Sequence, residues 1–415
     1  MEIDSDPRGA SILVDGQDRR KVTPDTVHGL SGLHEFSVRR DSAGASYGYR
    51  VQLRVARDSV VQINGPLTLP RCAEQCPLFR EHTASRVRFS RVPAGPLFYR
   101  DGTGDGAHWP NTTNNSYVST GIPLFAALLD GQAPIALGIY DYNFLAGRPF
   151  PSVSPTSNPF TLRQSFWVLP TLALLNAPTM RGLEVSEEVL AGTVDDVVVV
   201  RVVFRNITTR PAYQAADPFS VPDGFQFQDA FVGFALDPDI GAAEDDLFTY
   251  DPELNAIIAY DGAFREDGFQ SGAQAAPALV GLRLLEAPAG TRRILNGWPR
   301  VIGGLSGDWS AGTSSEQNGW HILSGSTSYT PDHAENTIGY LTGSAINDQR
   351  IAVSAGPLNL APGDSAVIRI AVAFAEPAAG TFTSGTVVDS GDPGAATRTI
   401  MLVAAALRAK LRAVQ

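Results

Sequence analysis

The stretch GFALDPDIGAAEDDLFTYD, from Gly233 to Asp251, concentrates residue types that bind hard cations. Calcium takes roughly 6–8 oxygen ligands, and carboxylates spaced along a turn can converge on one ion. Asp237, Asp239 and either Asp245 or Asp246, helped by Asp251 and a backbone carbonyl near Gly241, form a candidate set for a structural calcium ion. The spacing is not that of an EF-hand, whose D-x-D-x-D-G loop closes on a bidentate glutamate. The same residues also read as a solvated acidic turn, because Asp starts turns, Pro238 fixes φ and Gly241 admits positive φ. Both readings stand at the level of sequence, with calcium as the candidate cofactor.

Cys72 and Cys76 in PRCAEQCPLF are the two cysteines. Their C-x-x-x-C spacing is neither the C-x-x-C of thioredoxin-like proteins nor half of a standard zinc site. A local disulfide is expected if the turn brings the two Cα atoms to about 4.4–6.8 Å; two free thiols are the alternative. The 6 histidines show no H-E-x-x-H spacing, and Ser306 in GLSGDWSAG does not sit in a nucleophile elbow. Carboxylate pairs for glycoside hydrolysis need only meet in space, so spacing along the chain does not reveal them. Trp298, Trp309 and Trp320, with His321 beside the last, are candidates for a sugar-stacking surface, as are Trp109, Asn114 and Tyr117. The competing reading makes these rings core or loop anchors. Asn111, Asn114 and Asn206 match the glycosylation sequon and are expected to be chance matches.

The elements that must position these groups are strands. The chain has 415 residues, 43% of them hydrophobic and 18% charged, which is the composition of a folded protein of two or three domains. Gly 40 and Pro 29 punctuate short apolar or alternating runs, the pattern of antiparallel sheets. In DDVVVVRVVFRNIT nearly every position is apolar, so a central strand buried on both faces is expected. At the C-terminus, Ile400, Val403, Leu407, Leu411 and Val414 recur at steps of three and four, marking an amphipathic helix that packs on the sheets. A net charge of −11 leaves no basic face for tracking phosphates, so nucleic acid is excluded as a partner. No apolar run reaches the roughly 20 residues of a membrane span, and EIDSDPRGASILVDG after Met1 reads as folded structure, as expected of a mature or trimmed form.

The expected organisation is all-β. A small β-sandwich occupies residues 1–65, a linker with the cysteine pair 66–84, a larger antiparallel β-sandwich region 85–395, and a helix 396–415. Ser5-Asp6-Pro7-Arg8-Gly9-Ala10, Val14-Asp15-Gly16, Thr23-Pro24, Gly32-Leu33-His34 and Gly48-Tyr49 follow one another in an order and spacing that resemble the PEGA domain. That domain is a β-sandwich module of bacterial and archaeal envelope proteins. Further on, HWPNTTNNSYVSTGIPLFAALLDG, DAFVGFALDPDIGAAEDDLFTYDPELNAIIAYDG, APALVGLRLLEAP and SAGPLNLAPGDSAVIRIAVAFAEP are similar to segments of large extracellular β-sandwich proteins of Bacteroidetes-like bacteria. The resemblance implies a secreted or surface-exposed protein and attaches no reaction to it.

These observations together lead to the expectation of a non-enzymatic structural or adhesive protein, extracellular or in the cell envelope, with protein partners or self-assembly at the cell surface. The alternative expectation is a glycan-binding module or part of a carbohydrate-active enzyme. A third, a hydrolase, requires a deep pocket with convergent titratable groups.

Overall fold

The computed structural model describes residues 2–6, 11–14, 17–28, 32–42, 45–55, 62–66, 80–91, 97–98, 106–129, 134–138, 144–146, 160–168, 182–216, 222–241, 246–251, 253–261, 277–299, 301–302, 305–306, 320, 322–325, 349–378 and 400–414. The chain opens with β1 (Glu2–Asp6), β2 (Ser11–Val14), β3 (Gln17–Val22), β4 (Asp25–Thr26), β5 (Gly32–Ser42), β6 (Ala45–Val55) and β7 (Gln62–Pro66). They form two small sheets, ordered β4-β1-β7 and β3-β2-β5-β6. In β2 the alternation seen in SILV is realised, with Ile12 and Val14 buried. The β1–β7 pair is parallel, Ile3 facing Ile63.

Next come β8 (Arg80–Ala84), β9 (Val87–Arg91), β10 (Ala107–His108), β11 (Ser116–Val118), β12 (Thr120–Leu129), β13 (Pro134–Gly138), β14 (Phe144–Ala146), β15 (Phe160–Val168), β16 (Leu183–Ala191) and β17 (Val197–Asn206). After the short helix α1 (Pro211–Ala216) follow β18 (Phe227–Asp237), β19 (Asp246–Asp251), β20 (Ala256–Asp261), β21 (Leu279–Glu286), β22 (Arg292–Pro299), β23 (Val301–Ile302), β24 (Leu305–Ser306), β25 (Gln349–Leu360) and β26 (Ser365–Ala375). Helix α2 (Ala405–Ala413) closes the chain. The main body consists of an eight-stranded sheet, β14-β15-β16-β17-β26-β21-β20-β19, and a five-stranded sheet, β13-β12-β18-β25-β22. A four-stranded sheet, β11-β10-β9-β8, joins the second of these through the Leu97–Gly121 bridge. The fold is all-β with a short C-terminal helix, as the sequence indicates.

The expected linker at 66–84 ends early, because Arg80–Ala84 is strand β8, paired with β9 around Ser85 and Arg86. His82, Ala84, Val87 and Phe89 are buried in alternation on either side of the turn, and Ser90 is buried after them. Cys72 and Cys76 lie outside the described residues.

Strand β17 is paired on both edges, with β16 and β26. Val198, Val200, Val202 and Phe204 enter the core between the large sheets, where Phe204 meets Phe125 at 5.9 Å. Val197 and Val199 point the other way into a second core, and this is why the run is apolar at consecutive positions. The second core is closed by the C-terminal stripe: Ile400, Val403, Leu407, Leu411 and Val414 are all buried against Leu279, Ala371, Ala373 and Ala375. Gly281 lies beneath the helix, where a Cβ would stand 2.9 Å from Leu411 Cδ1. Lys410 and Arg412 sit in the last turn, favourable to the helix dipole.

The two large sheets approach closely at Gly297 of β22. A Cβ there would lie 2.3 Å from the Phe248 ring of β19. Gly297→Ala is therefore expected to lower stability by about 1–3 kcal/mol through overpacking, read as a fall in the urea midpoint at unchanged m.

Candidate functional site

The acidic stretch is not one loop. Its first part is the end of β18 and its last part is all of β19, so it passes from one large sheet to the other. Asp237, the last residue of β18, forms an ion pair with Arg350 near the start of β25. Both are nearly enclosed, at 5% and 8% exposure. Asp246 opens β19, and its carboxylate accepts the Ile240 N–H at 3.3 Å. Asp251 closes β19, about 17 Å further along at the rise of an antiparallel strand. There it accepts Arg408 Nε at 2.7 Å and the N–H groups of Glu253 and Leu254 at 3.0 and 3.2 Å. The strand thus separates Asp251 from Asp246 within the candidate calcium set. Asp239 lies in the turn after β18, its carbonyl accepting the Gly241 N–H, and Asp245 is outside the described residues. Among the described residues no three His, Cys, Asp or Glu side chains are grouped to hold a metal ion.

Strand pairing creates two juxtapositions that the spacing of residues along the chain does not show. Asp246 and Asp261 are direct cross-strand partners at the ends of β19 and β20, both buried. Close by, the Tyr117 hydroxyl accepts the Ala278 N–H at 3.2 Å. Burial pushes the Tyr117 phenol well above its ordinary range, with the charges of Asp261 and Glu376 adding to the shift.

The second juxtaposition is a row across four strands of the five-stranded sheet. Thr120 of β12 is paired with Asp237 of β18, Asp237 is ion-paired with Arg350 of β25, and Arg350 is paired with Trp298 of β22. The row lies at the rim, where β12 and β25 begin and β18 ends. Further in, Gly233, Ala235, Ala352 and Ser354 are small. Asn296 Nδ2 donates to the Ile322 carbonyl at 3.1 Å and Ser354 Oγ to the Leu323 carbonyl at 2.7 Å, holding the 322–325 segment on this face. The carboxylate and the guanidinium compensate each other, so the rim carries a polar pair with no net charge.

The aromatic candidates divide. Trp320 is 1% exposed and meets Phe231 edge-on at 5.3 Å, so its ring is a core anchor and not a stacking face. Trp109 and Tyr117 are buried as well, edge-to-face at 6.1 Å, with the Arg86 guanidinium 4.6 Å from the Trp109 ring centre. Apolar rings of this size gain more from the core than from a solvated loop, which is why the competing reading prevails at these three positions. Asn114 is exposed and its Oδ1 accepts Arg88 Nη2. Trp298 is placed by its strand register alone, and Trp309 and His321 lie outside the described residues. Asn206 is fully buried: its amide donates to the Phe225 and Leu360 carbonyls and its oxygen accepts from Thr208 N and Oγ1. Its role is to lock a turn, so Asn206→Ala is expected to cost about 2–3 kcal/mol, measurable by denaturant unfolding.

No family model matches the chain, and no curated protein matches it. Solved structures to which it is similar include a heparinase III, at 9% identity over 86% of this chain and 36% of that one, with a TM-score of 0.27. Another is a protein of Escherichia coli K12 assigned as an aldose 1-epimerase, at 11% identity over 72% and 99%, TM-score 0.28. A third is a GH36 alpha-galactosidase of Geobacillus stearothermophilus in complex with raffinose, at 12% identity over 84% and 40%, TM-score 0.18. The chain thus spans about a third of the length of the heparinase III. All three neighbours are enzymes by name, and on this finding the expectation of a non-enzymatic protein is withdrawn. At such TM-scores the likeness assigns neither a reaction nor a substrate.

Proposed function

We propose that this is a carbohydrate-binding or carbohydrate-active protein whose sugar site lies over the rim of the five-stranded sheet, beside the ion-paired Asp237 and Arg350. The observation that carries the reading is the enclosed Asp237–Arg350 pair, with Thr120 and Trp298 beside it in strand register. Charged and polar groups at the edge of a sheet suit a hydroxyl-rich ligand, and tryptophan is a residue type that packs on sugar rings. A PEGA-like module at residues 1–65 and a location in the envelope or outside the cell belong to the same proposal, supported by the motifs quoted above. Surface labelling of intact cells checks the location.

The test is a glycan screen followed by calorimetry on the wild type, Arg350→Lys and Trp298→Ala, with circular dichroism confirming the fold. Lysine keeps the charge and loses the fork, so affinity is expected to fall about tenfold in Arg350→Lys. Absence of binding to any glycan at millimolar concentration, or equal binding by all three proteins, would overturn the reading.

A further inference from the structure

Asp196 stands in the turn between β16 and β17 and is 1% exposed. Two cations reach it from elements remote in sequence. Arg86, in the β8–β9 turn, donates through Nη2 at 2.6 Å and Nε at 3.2 Å. Lys410, on α2, donates through Nζ at 2.8 Å, and also to the Asp195 carbonyl at 3.1 Å. The Ser85 hydroxyl approaches both carboxylates, at 3.1 Å to Asp195 and 3.4 Å to Asp196.

On its opposite flank α2 is held by Arg408 and Arg412, which pair with Asp251 at the end of β19 and Glu253 in the turn after it. The helix is thus strapped over the outer face of the eight-stranded sheet, with the Asp196 contact as its link to the hairpin.

We propose that α2 is a strap whose docking is coupled through Asp196 to the β8–β9 hairpin and, behind it, to the rim of the five-stranded sheet. The physical reason is the enclosed carboxylate. With both cations present its charge is compensated, and loss of either leaves it under-compensated in a poorly solvated position. Undocking the helix therefore weakens the seat of Arg86, whose guanidinium lies on Trp109. Trp109 packs on Tyr117 of β11. The same short segment holds the rim through its backbone: Ser116 O accepts the Gly241 N–H at 3.2 Å, and the Ser119 N–H donates to Asp237 O at 2.8 Å. A contiguous set of contacts thus runs from the C-terminal helix to the acidic end of β18.

Coupling of this kind is reciprocal, and reciprocity is the test. Hydrogen exchange is measured on the full chain as wild type, Lys410→Met and Arg86→Met, substitutions that remove a charge and keep an apolar stem. Lys410→Met is expected to speed exchange in residues 80–91 about tenfold, and Arg86→Met to speed exchange in 400–414 by a similar factor. The β18 amides remote from the rim, 227–232, serve as the internal reference and stay unchanged in both. Acceleration confined to the element that carries the substitution would overturn the coupling. Equal acceleration everywhere, β18 included, would also overturn it by showing general destabilisation instead.

Discussion

Asp196→Ala is expected to lower the unfolding free energy by about 2–3 kcal/mol, the range for losing charge-assisted hydrogen bonds whose cations keep partial access to water. The size follows from what is left behind. Arg86 and Lys410 lose their shared acceptor, and the turn, hairpin and helix it joins lose their common contact. Burial alone would raise the Asp196 pKa, yet hydrogen bonds from Arg86 and Lys410 outweigh it and hold the carboxyl below its ordinary 3.8. A carboxylate with a depressed folded pKa contributes stability that is fully present above its unfolded value and fades as pH falls toward the folded one. The gap between wild type and Asp196→Asn in urea midpoints should therefore be constant from neutrality down to about pH 5, and narrow progressively as pH falls below 4. A gap of the same width at pH 3 as at pH 6 would show that Asp196 acts through its shape and not its charge.

Breaking the rim pair should be more severe. Asp237→Ala leaves Arg350 enclosed without its carboxylate, and about 3–5 kcal/mol is expected to be lost. Replacing both partners, as in Asp237→Leu with Arg350→Met, removes both desolvated charges at once. The double variant is expected to recover at least half of the loss, because a well-packed apolar pair carries no desolvation penalty. Chemical denaturation of the two singles and the double completes the cycle. Additive losses would show that Asp237 and Arg350 stabilise the rim independently. A stable double variant also serves function: it retains the fold and abolishes the charge pattern, so its sugar binding separates chemistry from architecture.

Much of the architecture was legible in local pattern. The all-β class, the two-sided burial of VVVVRVVF and the apolar stripe of the last helix follow from the period of buried positions, which depends only on near neighbours. Less was legible in the candidate site. The acidic stretch draws the eye as a single cluster, yet β18 and β19 carry its two halves into different sheets. The tryptophans were visible, but their burial was not, because ring type alone does not say which face of a strand has a neighbour.

The amino-acid sequence by itself therefore determined where strands and the final helix form and which faces they bury, since backbone periodicity is set within a few residues. Only the tertiary structure decided which charges meet. Asp237 finds Arg350 because β18 lies beside β25, and Asp246 faces Asp261 through the β19–β20 register. Lys410 reaches Asp196 across a separation of 214 residues. Such pairings depend on strand order and on the crossing of distant segments, and these are fixed by the packing of whole sheets, which no local period encodes.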